Sequence, residues 1–419
     1  MINKFGVFFT LLFASYYSFS QESTSSPYSF YGIGDIKFRG TVENRAMAGI
    51  SILPDSLHIN LQNPAMYSKL KFTAFTVSGG FTETNLETNI AKETAQRTTV
   101  DYLALAVPLK KFGFGFGLIP YSAVGYKIRK VSDDGLTTNQ YRGKGGINKV
   151  FLGSGFRVTD HLSFGAEAQY NFGVIETNST QTIKNVQYGS LERNTSYASG
   201  VNFNFGLTYQ NKLNKKINYY SGLTFTPQSN LNLRQERIIA TAIVFNFLQE
   251  VVLDESTATN VTNIPNENVK LPSVVALGVG FGQDKKWSVG TEITFKQSSS
   301  FSNRVSNSLN ASFENSTKVV VGGFYIPNYN SYTSYFKRVV YRGGFRYENT
   351  GLVINNKSID DTALTLGLGL PLRGGSNLNL GFDYGFRGTK TNNLILEKYL
   401  NFTVSLSFND KWFQRRRYN

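Results

Sequence analysis

Cysteine is absent from this 419-residue chain. That excludes a disulfide scaffold, a thiol nucleophile and every zinc–thiolate site. Histidine is nearly absent too, with only His58 and His161. One falls in an irregular N-terminal stretch and the other in a three-residue turn, which leaves little from which to build a Ser–His nucleophile or a histidine metal centre. No phosphate-cradling glycine loop and no calcium loop occurs, so no cofactor is implied and the chain does not read as an enzyme. Long apolar runs are also missing. Mean hydropathy is −0.23, and the one continuous run, Phe5–Tyr17, is too short to span a bilayer as a helix. Acidic side chains are in deficit, 28 against 43 basic, for a formal charge of +15. Such a surface suits anionic lipid head groups; with no helix or basic–aromatic module, nucleic acid is not an expected partner.

What the chain does contain is alternation. From Asn377, the residues Leu378, Leu380, Phe382, Tyr384 and Phe386 share one face, while Asn379, Gly381, Asp383, Gly385 and Arg387 share the other. After a turn near Lys390–Asn393, Leu400, Phe402, Val404, Leu406 and Phe408 alternate with Asn401, Thr403, Ser405 and Ser407. Period two means strands with one apolar and one polar face. Each run lasts about nine or ten residues, the length of a tilted strand across a bilayer. In lipid only a closed barrel leaves no unpaired backbone edge. The aromatic content, 14% with Tyr 24 and Phe 34, suits interfacial girdles. The expected fold is all-β, a transmembrane antiparallel β-barrel in the outer membrane, surrounded by membrane lipids and lipopolysaccharide.

The same pattern places strands near Phe72–Phe81, Tyr102–Val107, Phe112–Lys130, Asn148–Val158, Leu162–Glu176, Tyr197–Gln210, Ile217–Pro227, Val269–Phe281, Trp287–Lys296, Lys318–Ile326, Arg338–Tyr347 and Ala363–Leu370, before the final hairpin. The total is about fourteen, an even number. Connections alternate in length. Thr159–His161, Asn211–Lys216 and Gly282–Lys286 are short, whereas 83–96, 131–146, 178–195, 228–268 and 297–316 read as polar or long loops. Short turns belong to the periplasm and long loops to the outside, which puts both termini in the periplasm.

The N-terminal stretch follows other rules. Lys4, the apolar run and Ser18-Phe19-Ser20 predict a signal peptide over residues 1–20. Residues 21–70 do not alternate. Pro27–Asp35 is turn-rich, Arg45–Gly49 suggests a short helix, and His58–Ala65 leads into the first strand. A segment of this size ahead of a barrel is expected inside the lumen as a plug. The barrel itself is expected over 71–413, with a basic tail at 414–419 that carries Arg415, Arg416 and Arg417.

Asn63-Pro64-Ala65, just before the first strand, resembles the hatch motif of the FadL-type outer-membrane transporters of long-chain fatty acids and other hydrophobic compounds. By itself the triplet also describes a turn that Asn63 caps and Pro64 rigidifies. The strand number, the loop asymmetry and the ending Phe408–Phe413 are similar to that family as well. The resemblance implies passive transport: capture of a hydrophobic small molecule at the external loops, passage past the hatch, and lateral exit through an inward kink of the third strand. Pro120 interrupts that strand above Gly113, Gly115 and Gly117. Proline cannot donate to a ladder and marks a bulge or break, so Gly115, Gly117 and Pro120 are the candidate lateral gate. Equally, Pro120 would merely end the strand above the hydrocarbon belt. Ile238–Val252, in the longest predicted loop, supplies Ile239, Ile243, Phe245, Phe247, Leu248 and Val251 as candidate capture residues. A loop packing on itself has the same composition.

Glu167, Glu292, Arg342, Arg346, Asp383 and Arg387 fall on inward faces. Charge ladders of this kind hold a plug or tune polarity. FadL-like barrels also serve protein export as docking subunits, so the rival expectation is an accessory barrel in an outer-membrane export or assembly complex. There the apolar loop and the basic tail would contact other outer-membrane or periplasmic proteins. A continuous apolar cavity from loops to hatch separates the two readings.

Overall fold

The computed structural model describes residues 24–412 apart from 187, 247–248, 253–258, 262–263, 301–310 and 373–374. The predicted signal peptide and basic tail lie outside these residues. Fourteen strands form one closed antiparallel barrel. They are β1 (Thr73–Glu87), β2 (Lys92–Leu109), β3 (Phe112–Val131), β4 (Thr137–Arg157), β5 (Leu162–Ile183), β6 (Gly189–Lys212), β7 (Asn218–Thr226 and Ser229–Asn246), β8 (Glu267–Leu271 and Val274–Gln283), β9 (Trp287–Lys296), β10 (Ser316–Tyr325), β11 (Val340–Ile354), β12 (Lys357–Pro371), β13 (Asn377–Arg387) and β14 (Leu396–Asp410). Neighbours in sequence pair in order. The ring shuts where β14 meets β1, from Thr73↔Asp410 to Glu87↔Leu396.

The alternation of the final hairpin is realised in β13 and β14. Phe382, Tyr384, Phe386 and Phe402 stand outward and exposed, while Asn379, Asp383, Thr403 and Ser405 are buried inside. Outward Phe112, Phe114, Phe116, Phe164, Phe203, Phe281 and Phe345 continue the same apolar belt around the wall. This is the arrangement that lipid favours, with strand backbone paired to neighbouring strands and an apolar belt facing the hydrocarbon.

The expected long loops differ most from what is seen. Segments 83–96, 131–146, 178–195 and 228–268 are largely strand: β3 to β6 are 20, 21, 22 and 24 residues long. About 9–11 residues suffice to cross a bilayer, so this side of the wall projects well beyond it. Outside lipid a strand needs no apolar face, and period two fades while the ladder continues. The described residues of Ile238–Val252 are accordingly strand, not loop. They belong to β7 and to a short returning strand, Gln249–Val252, paired from Asn246 to Ala242.

Residues 24–72 pack against the inner face of the barrel. Short 3-10 turns occur at Pro27–Phe30 and Pro64–Lys69, and the one α-helical turn is Val42–Arg45, which ends where the sequence suggested that a helix would begin. Fifteen apolar residues of this segment, among them Ile33, Ala46, Ile50, Leu61 and Tyr67, are buried.

Candidate functional site

The hatch motif sits at the bottom of the lumen on a floor of glycine. Asn63 caps the Pro64–Lys69 turn: its Oδ1 accepts from Ala65 N at 3.1 Å, and its Nδ2 donates to Leu207 O at 3.4 Å. The wall beneath can approach this closely only because it lacks side chains there. A Cβ on Gly206 would lie 2.1 Å from Asn63 Oδ1, one on Gly165 2.3 Å from Ala65 N, and one on Gly113 2.0 Å from Tyr67 O. Gly115 abuts the Tyr67 ring and Gly117 the Phe151 ring. The space beneath Pro120 is thus filled, the lower part by the hatch itself.

Inward charges tie the plug to the wall. Arg39 pairs with Glu167, which also accepts from Tyr67 OH at 3.0 Å. Glu292 accepts from Ser51 N at 2.9 Å and Ser51 Oγ at 2.7 Å. Arg45 Nε lies 3.0 Å from Asp383 Oδ2, and Arg387 Nη1 donates to Asp35 Oδ1 at 2.7 Å. Arg342 and Arg346 instead bond along the wall, to Asn379 at 3.1 Å and to Tyr399 OH at 2.8 Å. Lower down, His58 Nδ1 is 2.6 Å from Asp55 Oδ2, and its Nε2 faces Glu43 at 3.5 Å. Burial pushes the imidazole down, but the two carboxylates outweigh it and hold the His58 pKa above its ordinary value; Arg342 opposes them.

The wall opens beside Pro120. Strands β2 and β3 pair only from Leu103↔Leu118 to Leu109↔Phe112. Beyond Pro120, β3 turns inward, and Ser122 and Ala123 pair with Ile36 and Asp35 of the plug. A one-residue irregularity between Pro120 and Ser122 absorbs the bend on the β4 side. Behind the opening lies a cavity of about 430 Å³, reached by Val100, Pro120 and Tyr121 and lined by Arg39, Lys149, Lys296, Arg346 and Arg387. Lys149 is buried, with its ammonium 4.2 Å above the Tyr121 ring. A larger vestibule of about 1220 Å³ lies below the plug, against His58, Ile59, Met66 and Arg342. No residue lines both spaces. Plug residues contribute to the lining of both spaces, Arg39 and Arg45 to the upper and His58 and Ile59 to the lower.

Of the candidate capture residues, Ile239 stands on β7 opposite Thr259 and Glu192. Ile243, Phe245 and Val251 belong to strand backbone beyond it. Phe247 and Leu248 lie outside the described residues. Sequence reasoning missed Arg39, Arg45, Tyr67 and Lys149. The available signal was basic residues in the plug facing acidic inward positions on the wall. Among the described residues no group of three or more His, Asp or Glu could hold a metal ion.

Solved structures share this architecture. A Pseudomonas aeruginosa FadL homologue is 14% identical, with 90% of this chain and 99% of that one covered at a TM-score of 0.59. The Pseudomonas putida toluene transporter TodX is 14% identical, with 91% and 100% covered at 0.56. The CymD monoaromatic hydrocarbon channel is 13% identical, with 90% and 98% covered at 0.55. At such identity the likeness establishes the fold, that of an outer-membrane FadL-type barrel. No curated protein matches the chain. A FadL-type wall closed by an ion-paired plug is the body plan, and the family model that covers all of it, residues 1–419, is BamG: the chain belongs to the BamG family.

Proposed function

We propose that this protein is an accessory barrel subunit of an outer-membrane protein assembly complex. The observation that carries the reading is the full-length BamG match, a description that points to association with BAM-complex proteins. The interior supports it. Apolar ligands favour apolar walls, whereas here Arg39, Lys149, Lys296, Arg346 and Arg387 line the cavity behind the β2–β3 opening, and the vestibule below is lined by other residues. Purification of the full chain in gentle detergent, with mass spectrometry of proteins and lipids together, tests the reading. Assembly-machinery subunits in fixed ratio to the barrel are expected; a barrel carrying only lipids or apolar compounds would overturn it.

One observation favours a second reading, passive transport of hydrophobic small molecules. The β2–β3 ladder ends at Leu103↔Leu118, and the cavity reaches that gap. Ligand captured around Ile239 to Val251 would then leave beside Pro120. Uptake of a fluorescent fatty acid by cells separates the two: deletion of the barrel leaves uptake unchanged in the first reading and lowers it in the second.

A further inference from the structure

Most periplasmic connections of this barrel are minimal, as at Lys110–Lys111, 158–161, 213–217 and 284–286. The one between β10 and β11, residues 326–339, is far longer, and it is built rather than loose. Ile326 N donates to Lys286 O at 2.6 Å, and Asn328 N to Lys337 O at 2.8 Å. Tyr335 OH reaches Pro371 O at 3.3 Å, and Tyr341 OH reaches Phe336 O at 3.2 Å. The Lys285 ammonium caps the Tyr329 ring at 4.7 Å. The loop therefore lies along the rim, fastened at the base of β9 on one side and of β12 on the other. Despite this fixation it leaves Tyr332 wholly exposed and Phe336 74% exposed. Large aromatic side chains carried into water by a fastened loop offer anchors for a partner surface.

The neighbouring vestibule supplies the second half of the surface. Tyr329 and Arg338 of the loop line its mouth, together with Lys69, Lys71, Lys212 and Lys285. Among the described residues none of these cations forms an ion pair; Lys285 and Arg338 lie instead over the Tyr329 and Tyr335 rings. The acidic groups of the same vestibule are Asp55, Asp160, Asp284 and the buried Glu43, with Arg157 and Arg342 adding to the basic side, so positive charge prevails. The vestibule is lined by plug residues such as His58, Ile59 and Met66 and not by the outward aromatic belt, which favours an aqueous partner over a head group.

We propose that the 326–339 loop and the vestibule mouth form a docking surface for a periplasmic polypeptide that presents an acidic segment with an apolar side chain beside it. This rests on the assembly-subunit reading and adds the face, the charge and the anchors of the contact: Tyr332 and Phe336 bind the apolar part and the unpaired cations receive the carboxylates.

The test places the photo-crosslinking residue p-benzoylphenylalanine at Tyr332 in the full chain in living cells. Expected is an adduct with one polypeptide, joined through a segment of net negative charge. Its yield falls about ten-fold when Lys212, Lys285 and Arg338 are all changed to Glu, and is unmoved by Lys144→Glu on the outer side of β4. The heat-dependent gel shift of a folded barrel confirms insertion, and Arg338→Glu alone serves if the triple variant does not insert. An adduct with lipid only, no polypeptide adduct, or an adduct indifferent to charge reversal overturns the proposal. If assembly subunits still co-purify while Tyr332 captures no polypeptide, this surface is wrong and the complex reading survives.

Discussion

The phenol of Tyr67 donates a 3.0 Å hydrogen bond to Glu167 Oε2, joining plug to wall where both residues are buried. The same carboxylate receives Arg39. Loss of the phenol alone, in Tyr67→Phe, is expected to weaken plug docking by about 1 kcal/mol. Glu167→Ala should cost more, roughly 2–3 kcal/mol, because it also strands the Arg39 guanidinium; Arg39 keeps some contact with cavity water, which holds the figure below that of a fully buried pair. The rate at which protease clips the plug in detergent-solubilised protein should rise in that order.

Close packing on glycine makes a sharper prediction. Gly165→Val would drive a side chain into Ala65, and Gly206→Val into Asn63. Both variants should insert as barrels yet show raised conductance in planar bilayers, since the plug is displaced while the ladders persist. Asn63→Ala, which loses the cap and the bond to Leu207 O, should do the same more weakly, at about 1 kcal/mol. Gly343→Ala is the control, because a Cβ there meets nothing nearer than 3.7 Å; its conductance should match the parent.

The lower plug should respond to pH. Burial opposes ionisation of Asp55, but His58 and the Leu57 N–H outweigh it and hold this carboxyl well below its usual range. A depressed carboxyl stabilises above its unfolded pKa, and that contribution disappears as pH falls through the folded value. The raised imidazole of His58 works in the other direction: its contribution is complete below its unfolded pKa and is lost as pH climbs through the folded one. Amide exchange over residues 55–60 should therefore be slowest at mildly acidic pH and accelerate, beyond the intrinsic rate, as pH rises above the ordinary imidazole range. His58→Gln should remove that acceleration. A persistent pH response in this variant would assign the effect elsewhere.

Along Lys92–Tyr102 the β2 ladder runs only to β1. Amides there should exchange faster than those of β4 opposite Asn178–Gln181 of β5, where pairing continues on both sides. Equal protection at both places would mean that β3 closes against β2 in the membrane.

Strand parity made the lipid-embedded ring legible. Phe382↔Phe402 and Leu380↔Val404 face each other in the final hairpin as alternation requires. Parity likewise puts Glu167 and Asp383 inside. It says nothing about Arg39 and Arg45, because an irregular segment has no parity from which to read direction. The outer half of β6 was illegible for a different reason. Glu192, Arg193, Asn194, Thr195 and Ser196 meet water on the outside and a polar lumen within, so nothing separates their two faces although the ladder to β5 is unbroken. Pro120 was legible as a break, but its inward direction depends on Asp35–Ile36 waiting to pair, a contact across distant sequence.

Two further prolines interrupt adjacent strands at one level. Strand β7 skips Pro227–Gln228 and β8 skips Pro272–Ser273, the ladder stepping from Thr226↔Val274 to Ser229↔Leu271. Strand β6 meanwhile leaves Gly200–Asn204 without a partner on β7. A sheet resists bending through its continuous rows of hydrogen bonds, and here several rows are missing side by side. The upper hairpin of β7 is thus mounted on a compliant seam. A pull on its tip is expected to be taken up as rotation about that line before it reaches the strands on either side.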